Sequence, residues 1–512
     1  MSNDRAGLYA AVVLLSLAIS MTNAGWAKSQ VVLAPATMPR IGTVAERYQS
    51  YNVEMVEVTG GEFWKPYKPT GTDAALYQYR PPLDLTDARL RKLATALGPA
   101  YIRISGTWAN TTYFSDSDQA PTAPPAGFTG VLTRPKWRGV VEFAKAVDAE
   151  IITSLANVIG TRDPAGAWTN EQAKRFIAYT GWVGGRIAAA EFMNEPTMGG
   201  EPAGYDAAAY GRDFKIFHAF ARQEAPGMLI LGPDAVGETT GEWGAAYGNA
   251  PKLKTRDLLA ASRPAVVDGF SYHHYGAMSQ RCAALGFQTT AEAALSEQWL
   301  GRTDDTLAFY RKLRDEFEPG KPFWLTETAD ASCGGNRWAA TFLDTFRYLD
   351  QLGRLAKQDV RVVAHNTLIG SDYGLLNEKT LEPTPNYWGA LLWRRLMAST
   401  VLEAGVPLRP GLHIYAHCLR GTPAGVALLA INSSRTRATS IDIPIAMERY
   451  TLAAEDLEGT RVQLNGQELT LQVKGELPDL QAIRAQAGAV ELAPASMTFL
   501  AVAGAGNTSC LS

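Results

Sequence analysis

The stretch Glu191-Phe192-Met193-Asn194-Glu195-Pro196 closes an apolar run that starts at Ala188, and Phe323-Trp324-Leu325-Thr326-Glu327-Thr328 closes another that starts at Pro322. Each reads as a β-strand that delivers a carboxylate where apolar sequence gives way to a loop. Working outward, six more runs of the same kind appear: Val53-Thr59, Ala100-Ser105, Glu150-Leu155, Met228-Gly232, Val266-Tyr272 and Val360-Asn366. Segments of helical period separate them, including Leu83-Leu97, Trp137-Val147, Asn170-Trp182, Ala207-Gln223, Leu253-Ala261, Asp304-Phe317, Trp338-Leu355 and Trp388-Met397. Eight strand-then-helix units predict an α/β chain folded as a (β/α)8 TIM barrel. A doubly wound sheet is the alternative. It calls for a Gly-rich phosphate turn after the first strand, and Gly60-Gly61 stands there without the GxGxxG spacing.

Beyond residue 400 the period changes to short alternating strands, His413-Leu419, Val426-Asn432, Ala438-Ile443, Arg449-Ala454, Val462-Leu464, Glu468-Val473 and Thr498-Ala501, with Asn465-Gly466 as a hairpin turn. This predicts a C-terminal β-sandwich. Gln30-Leu33 can add a strand to it, so both chain ends meet in one small domain. The expected division is a signal peptide over 1–27, an N-terminal segment of the sandwich over 28–46, the barrel over 47–400 and the sandwich over 401–512. The signal reading rests on Arg5, the apolar run Leu8 to Ile19, and small residues up to Ala27. That run is too short to span a bilayer, which takes about 20 residues. A secreted or periplasmic protein with no membrane association after signal removal follows.

The 512 residues are 46% hydrophobic and 19% charged, the balance of an ordinary globular protein. A net charge of −3 creates no global field for nucleic acid, so a polyanionic substrate has to be held by a local basic cleft. Lys65, Lys68, Lys136, Arg138 and Arg162 are candidates for one, against the plainer reading of a solvated face. An exported chain favours pairing of Cys282, Cys333, Cys418 and Cys510, for which three connectivities are open. No CxxC spacing supports structural zinc.

In a (β/α)8 barrel the carboxyl ends of the strands carry the chemistry. Two carboxylates converging there are what glycoside hydrolysis needs, one protonated to donate to the leaving oxygen and one ionised. Pro196 disfavours helix at the residue before it and predicts an extended Glu195 that does not begin a helix. Glu191 reads as an ion-paired barrel residue, and Arg103 either bridges the carboxylates or satisfies a buried network. His273 and His274 point to opposite faces of a strand and cannot chelate one ion together, so no metal is expected. Trp64, Tyr67, Trp108 and Trp168 are candidates to stack on sugar faces, or to pack in the core.

At this point the sequence resembles the clan A glycoside hydrolases and, in finer detail, glycoside hydrolase family 79, the heparanase and β-glucuronidase family. The matching stretches are Ala100-Tyr-Ile-Arg-Ile-Ser-Gly-Thr107, Asn194-Glu195-Pro196, Tyr272-His-His-Tyr275, Trp324-Leu-Thr-Glu-Thr328 with Gly334-Gly335, Pro385-Asn-Tyr-Trp388, Tyr415-Ala-His-Cys418 and Val462-Gln-Leu-Asn-Gly466. The resemblance implies Glu195 as general acid/base, Glu327 as nucleophile, and Asn194 on the sugar 2-OH. It further implies Tyr275 orienting Glu327, Glu57 and Thr107 on hydroxyls of the minus-one sugar, and Tyr373, Gly334 and Gly335 around a uronic acid carboxylate. The chain departs from the family after the nucleophile, where Ala331-Ser-Cys-Gly-Gly-Asn336 replaces an aromatic residue and a run of glycines. A Cys418–Cys510 bridge is also implied, which leaves Cys282 and Cys333 either bridged across two active-site loops or free. Only Ala120 to Gly130 stands where mammalian members carry a long excised segment, so a single chain without that maturation is expected.

The expected activity is retaining hydrolysis of β-linked glucuronic acid in a glycan or glycoside, exo or endo, by a monomer that needs no cofactor. The alternatives are a clan A hydrolase of neutral β-glycosides, of β-xylosidase or β-glucosidase type, and a non-catalytic carbohydrate-binding barrel. A retaining mechanism predicts carboxyl groups about 5 to 5.5 Å apart.

Overall fold

A computed structural model describes residues 31–67, 75–119, 121–199, 202–241 and 252–511. The proposed signal peptide and Lys68 lie outside them. Eight parallel strands close into a barrel: β1 (Gln49–Glu54), β2 (Ala100–Ser105), β3 (Ala149–Ser154), β4 (Ile187–Glu191), β5 (Leu229–Ala235), β6 (Gly269–Met278), β7 (Phe323–Ser332) and β8 (Val360–His365). Each pairs with the next, and Val363 on β8 pairs with Gln49 on β1 to complete the ring. The helices are α1 (Ala88–Leu97), α2 (Arg134–Ala146), α3 (Glu171–Trp182), α4 (Ala207–Glu224), α5 (Thr255–Ser262), α6 (Arg302–Phe317), α7 (Phe342–Lys357) and α8 (Pro385–Leu396).

Strand alternation divides each strand between two cores. Ile102 and Ile104 on β2 join the layer beneath the helices, while Ile152, Ala189, Leu231, Trp324 and Val362 form a separate apolar plug from five strands. Arg103, between the two isoleucines, therefore faces the barrel interior. It is 1% exposed, so its charge has to be met there.

Two departures from the sequence reading matter for function. The run Val53-Thr59 is not one strand: β1 ends at Glu54, and Met55–Thr59 forms a short helix. The cause is a capping box in which the Glu54 side chain and the Glu57 side chain each accept from the other's backbone N–H. The second departure is length. Strands β6 and β7 each run ten residues, so Glu327 sits in the middle of β7 rather than at its end.

The sandwich has two sheets. Val31–Val32 runs parallel to Thr439–Ile443, which pairs with Gly488–Leu492. The nine-stranded sheet holds Arg40–Thr43, Met397–Leu402, His413–Leu419, Val426–Asn432, Ser496–Val502, Met447–Ala453, Gln463–Leu464, Gln467–Glu468 and Ile483–Ala485. Met397 thus opens a strand instead of ending a helix. The expected strand Glu468-Val473 shrinks to Gln467–Glu468, because the Asn465-Gly466 hairpin pairs only two residues on each side and the chain then turns at Val473–Gly475. Cys418 joins Cys510 inside the sandwich core, and Cys282 joins Cys333 at the carboxyl face of the barrel.

Helix α7 lies between barrel and sandwich and is buried along nearly its whole length. At Gly353 an added Cβ would fall 2.3 Å from the Tyr415 ring, so only glycine admits that ring. Beside it, Asp350 and Arg354 reach across to His413 and Glu297. No described helix is long and apolar enough to cross a membrane.

Candidate active site

The carboxyl face of the barrel opens into a cavity of about 1020 Å³, lined by Trp64, Thr107, Trp108, Glu195, Lys252, Tyr275 and Cys333 among others. A carboxylate oxygen of Glu195, one of Glu327 and a ring nitrogen of His273 all lie within 4.8 Å of one another at its floor.

Below them Arg103 organises the charge. Its guanidinium donates to Glu191 at 2.9 Å, Glu327 Oε2 at 2.8 Å, Asn194 Oδ1 at 2.9 Å and Asp234 Oδ2 at 2.9 Å. Both sequence readings of Arg103 are thus true, since it satisfies a buried network and holds a floor carboxylate. His273 places Nδ1 2.9 Å from Glu195 Oε1 and Nε2 2.7 Å from Asp234. Burial opposes a charged imidazole, yet Asp234 and then Glu327 raise its pKa well above the usual value, so both ring nitrogens donate. His274 faces the other way and meets Thr306, as strand alternation requires. Glu195, His273 and Glu327 have the spacing of metal ligands, but in this structure both His273 ring nitrogens are taken up by Glu195 and Asp234, and Arg103 already sets a positive charge against Glu327.

Two cations, Arg103 and His273, face four buried carboxyls and the part-exposed Glu195, and burial pushes three of the five towards the protonated form. Burial raises Glu54 well above its ordinary range, with Glu327 and Glu57 adding to the effect. Burial pushes Glu191 up to about 8 against the pull of Arg103. Asp234 goes the other way: burial works against ionisation, but His273 and Arg103 hold it well below the usual carboxylate range. Glu195 is raised by burial and by the charge of Glu327, with His273 partly offsetting both. Arg103 donates to both Asp234 and Glu327, and His273 to Asp234, so the two cations are placed against these two carboxylates.

Glu195 has φ +46° and ψ +56°, the left-handed region, and caps a short 3-10 turn at Pro196–Met198. This corrects the expectation of an extended residue. Pro196 does bar the right-handed helical region, and the chain takes the left-handed one instead, which turns the side chain inward from a chain about to leave the barrel. Asn194 is clamped through its backbone, its N–H donating to Asn110 Oδ1 at 2.8 Å and its carbonyl accepting from Asn110 Nδ2 at 2.9 Å.

The far wall is a ring of polar groups. Tyr275 donates to Glu327 Oε1 at 2.6 Å, and Asn366 Nδ2 reaches Tyr275 at 2.9 Å, Glu54 at 3.1 Å and Tyr373 at 3.3 Å. Glu54, not Glu57, supplies the β1 carboxyl to this ring. Glu57 is fully buried behind it, paired with Arg80 at 3.2 Å, because the helix after Glu54 carries it away. Gly106 makes room for Glu54, since a Cβ there would overlap its carboxyl. Thr107 follows on the cavity wall. Gly334 and Gly335 have φ +78° and +85° and pack against Trp64 and Tyr373.

The remaining candidates divide. Trp64 and Trp108 line the cavity with Tyr77, whereas Trp168 is core and Tyr67 lies under the Arg281 and Arg337 guanidinium groups. Of the basic residues, Arg162 pairs with buried Asp213, Lys136 donates to the Thr59 carbonyl, and Arg138 lies over the Trp182 ring, so none of the three faces the cavity. Lys252 does line it. Asp234, His273, Glu54, Asn110 and Asn366 were not singled out as site residues by sequence. A Gly232-Pro-Asp234 step at the end of β5 and the Glu54-x-x-Glu57 capping pattern were the available signals.

The chain is similar to several known proteins. Heparanase-like protein 1 of Arabidopsis thaliana is 28% identical over 87% of this chain and 90% of its own. Baicalin-β-D-glucuronidase of Scutellaria baicalensis is 33% identical over 35% of this chain and 36% of its own. The solved 4-O-α-L-rhamnosyl-β-D-glucuronidase of Fusarium oxysporum 12S shares the fold with a TM-score of 0.64 at 13% identity, over 92% of this chain and 99% of that one. The sequence profile of the N-terminal domain of glycosyl hydrolase family 79 matches residues 81–353, more than half of the chain. The chain therefore belongs to glycosyl hydrolase family 79.

Proposed function

We propose that the protein is a retaining glycosidase that cleaves β-linked glucuronic acid, with Glu195 as general acid/base and Glu327 as nucleophile. The observation that carries this reading is the approach of the two carboxylates, with oxygens within 4.8 Å, in unequal surroundings. An approach that close supports the retaining arrangement, with carboxyls about 5–5.5 Å apart, over the inverting one at about 6.5–9.5 Å. Both Glu327 oxygens accept hydrogen bonds, from Arg103 and Tyr275, which aims a charged nucleophile at one point. Burial and the nearby Glu327 charge favour the protonated form of Glu195.

In the first step a Glu327 oxygen attacks the anomeric carbon, the glycosidic C–O bond breaks, and the Glu195 proton goes to the departing oxygen. The resulting ester lowers the negative charge that raised Glu195. Glu195, left ionised by that transfer and no longer facing a charged Glu327, takes a proton from the water that attacks the anomeric carbon and releases Glu327. Asn194, its Oδ1 fixed by Arg103, has its amide free to donate to the 2-OH.

The uronate specificity draws on the glucuronidase relative and on the glycine turn at Gly334–Gly335 beside Tyr373, which can offer backbone N–H groups to an anion. We further read the protein as a monomer acting outside the cytoplasm, consistent with its two disulfides. Hydrolysis of 4-nitrophenyl β-D-glucuronide against the β-D-glucoside tests the substrate. Glucuronide should be preferred, and equal rates would sink the uronate assignment. Proton NMR of the first product tests the mechanism: the β-anomer is expected, and an initial α-anomer would overturn retention.

A further inference from the structure

The Cys282–Cys333 bridge has no part in the mechanism above, yet it sits on the cavity wall. Strand β7 ends at Ser332, and the next three residues, Cys333, Gly334 and Gly335, have φ of +63°, +78° and +85°. Glycine adopts that region freely, whereas a cysteine there is strained and persists only where its surroundings impose it. The bridge to Cys282, which is buried in the loop after β6, is the imposing element.

The rest of the turn is gripped along its carbonyl edge. Ser279, also after β6, donates through N–H to the Ser332 carbonyl at 3.1 Å and through Oγ to the Cys333 carbonyl at 3.0 Å. Ser371, after β8, donates to the Gly334 carbonyl at 2.8 Å. A Cβ at Gly334 would lie 2.6 Å from the Arg281 guanidinium and from Ser371 Oγ, and 2.7 Å from Trp64 Cβ. Arg281, next to Cys282, is itself tied to the Lys65 carbonyl at 2.8 Å and to Asp372. Loops after β1, β6 and β8 therefore converge on three residues after β7, and one of those contacts is covalent.

We propose that the Cys282–Cys333 bridge is a specificity element that fixes the Gly334–Gly335 turn so that its amide edge receives the carboxylate of the minus-one sugar. The inference rests on the uronate reading above. Cys282 and Cys333 are positioning residues, since neither touches the reacting atoms. Without the bridge, Cys333 relaxes from the left-handed region and the turn loses its fixed register. The loss falls on binding of a charged sugar and leaves Glu195 and Glu327 as they were.

The test is kinetics of the full chain carrying Cys282→Ser and Cys333→Ser together, with both aryl glycosides. KM for the glucuronide should rise about tenfold, the scale of one weakened charge-assisted hydrogen bond. Its kcat should hold within about twofold, and kcat/KM for the glucoside should not move. If the double variant fails to fold, the wild-type enzyme is treated with a phosphine reductant and assayed once mass spectrometry finds Cys282 and Cys333 alkylated and Cys418–Cys510 intact. The same split in KM is expected. An unchanged preference, or an equal loss on both substrates, overturns the specificity role. A wild-type enzyme that already lacks glucuronide preference refutes the uronate reading first, and the bridge proposal falls with it.

Discussion

Two ionic clusters in this molecule, each centred on a buried arginine and histidine, are built from nearly the same parts and behave in opposite ways. On the barrel floor, Arg103 and His273 meet Glu54, Glu191, Glu195, Asp234 and Glu327. Between barrel and sandwich, Arg354 and His413 meet Asp350, Glu297 and Asp304. In the second cluster Asp350 takes His413 and Tyr415 on one oxygen, both at 2.5 Å, and Arg354 on the other at 2.6 Å. Asp304 takes Arg354 and Gln358, and Glu297 takes Arg354 and His413. Every carboxylate there is saturated. On the barrel floor Glu195 has His273 on one side and open cavity on the other. An arginine, a histidine and several acids do not make an active site by themselves; a carboxyl left partly unmet beside a cavity does.

Four experiments would break or sharpen that contrast. The largest effect should come from Glu327→Gln, which lowers kcat by at least about 10⁴-fold while the thermal midpoint moves little. A variant that loses its fold along with its activity would make the floor cluster structural after all. The converse change, Asp350→Asn, leaves two cations short of a partner and should cost about 3–5 kcal/mol in urea unfolding, with kcat of the folded fraction unchanged.

Third is pH. Although burial works against it, Asp350 lifts His413 from 6.5 to about 9. A raised histidine stabilises fully below the unfolded value, so this contribution is whole below about pH 6.5 and is lost as pH climbs through 9. Asp350 moves oppositely. Burial would raise it, but His413 and Arg354 hold it at about 2, so its contribution is present above its ordinary 3.8 and is lost as pH falls towards 2. Thermal midpoints measured across pH should therefore plateau from about 4 to 6.5, and His413→Gln should flatten the alkaline decline. On the floor, His273→Gln should instead move the alkaline limb of kcat/KM upward, because the bond that favours ionised Glu195 is gone. Smallest of all is Arg256→Ala. Arg256 contacts Glu316 at 2.5 and 2.6 Å, as short as anything in the buried clusters, but at the surface. Removing it should leave the urea midpoint indistinguishable from that of the unaltered protein, since water screens what burial would amplify.

The sequence carried the barrel because strand and helix periods are local properties, and seven of the eight barrel strands appear where apolar runs predict them, the first being displaced towards Gln49–Glu54. It carried Glu195, Glu327, Asn194 and Tyr275 to one floor because the barrel brings strand ends together whatever lies between. It failed where the determinant was a contact rather than a period. Val53-Thr59 has the β-branched content of a strand, yet reciprocal caps between Glu54 and Glu57 bend it into a helix and exchange one carboxyl for another. Proline before a loop told which backbone region Glu195 avoids, not which it takes. Asp234 and His273 look unremarkable in sequence, since their importance lies in each other and in Arg103. The strand Gly488–Leu492 was missed because its partner Thr439–Ile443 is far back in the chain, and Met397–Leu402 because the helical period runs on into Met397, although its other partner, Arg40–Thr43, lies at the opposite end of the molecule.

That distance bears on how the protein is made. Arg40–Thr43 leaves the ribosome early, but Met397–Leu402, to which it pairs, is more than 350 residues behind, as Thr43 meets Thr400. At about 5–20 residues per second the wait is on the order of tens of seconds. Throughout it, Val31, Val32 and Ile41 are unpaired strand residues beside a barrel that is itself half built. The strands at this end of the sandwich are thus the ones that wait longest for their partners, since Val31 meets Ile441 and Thr43 meets Thr400.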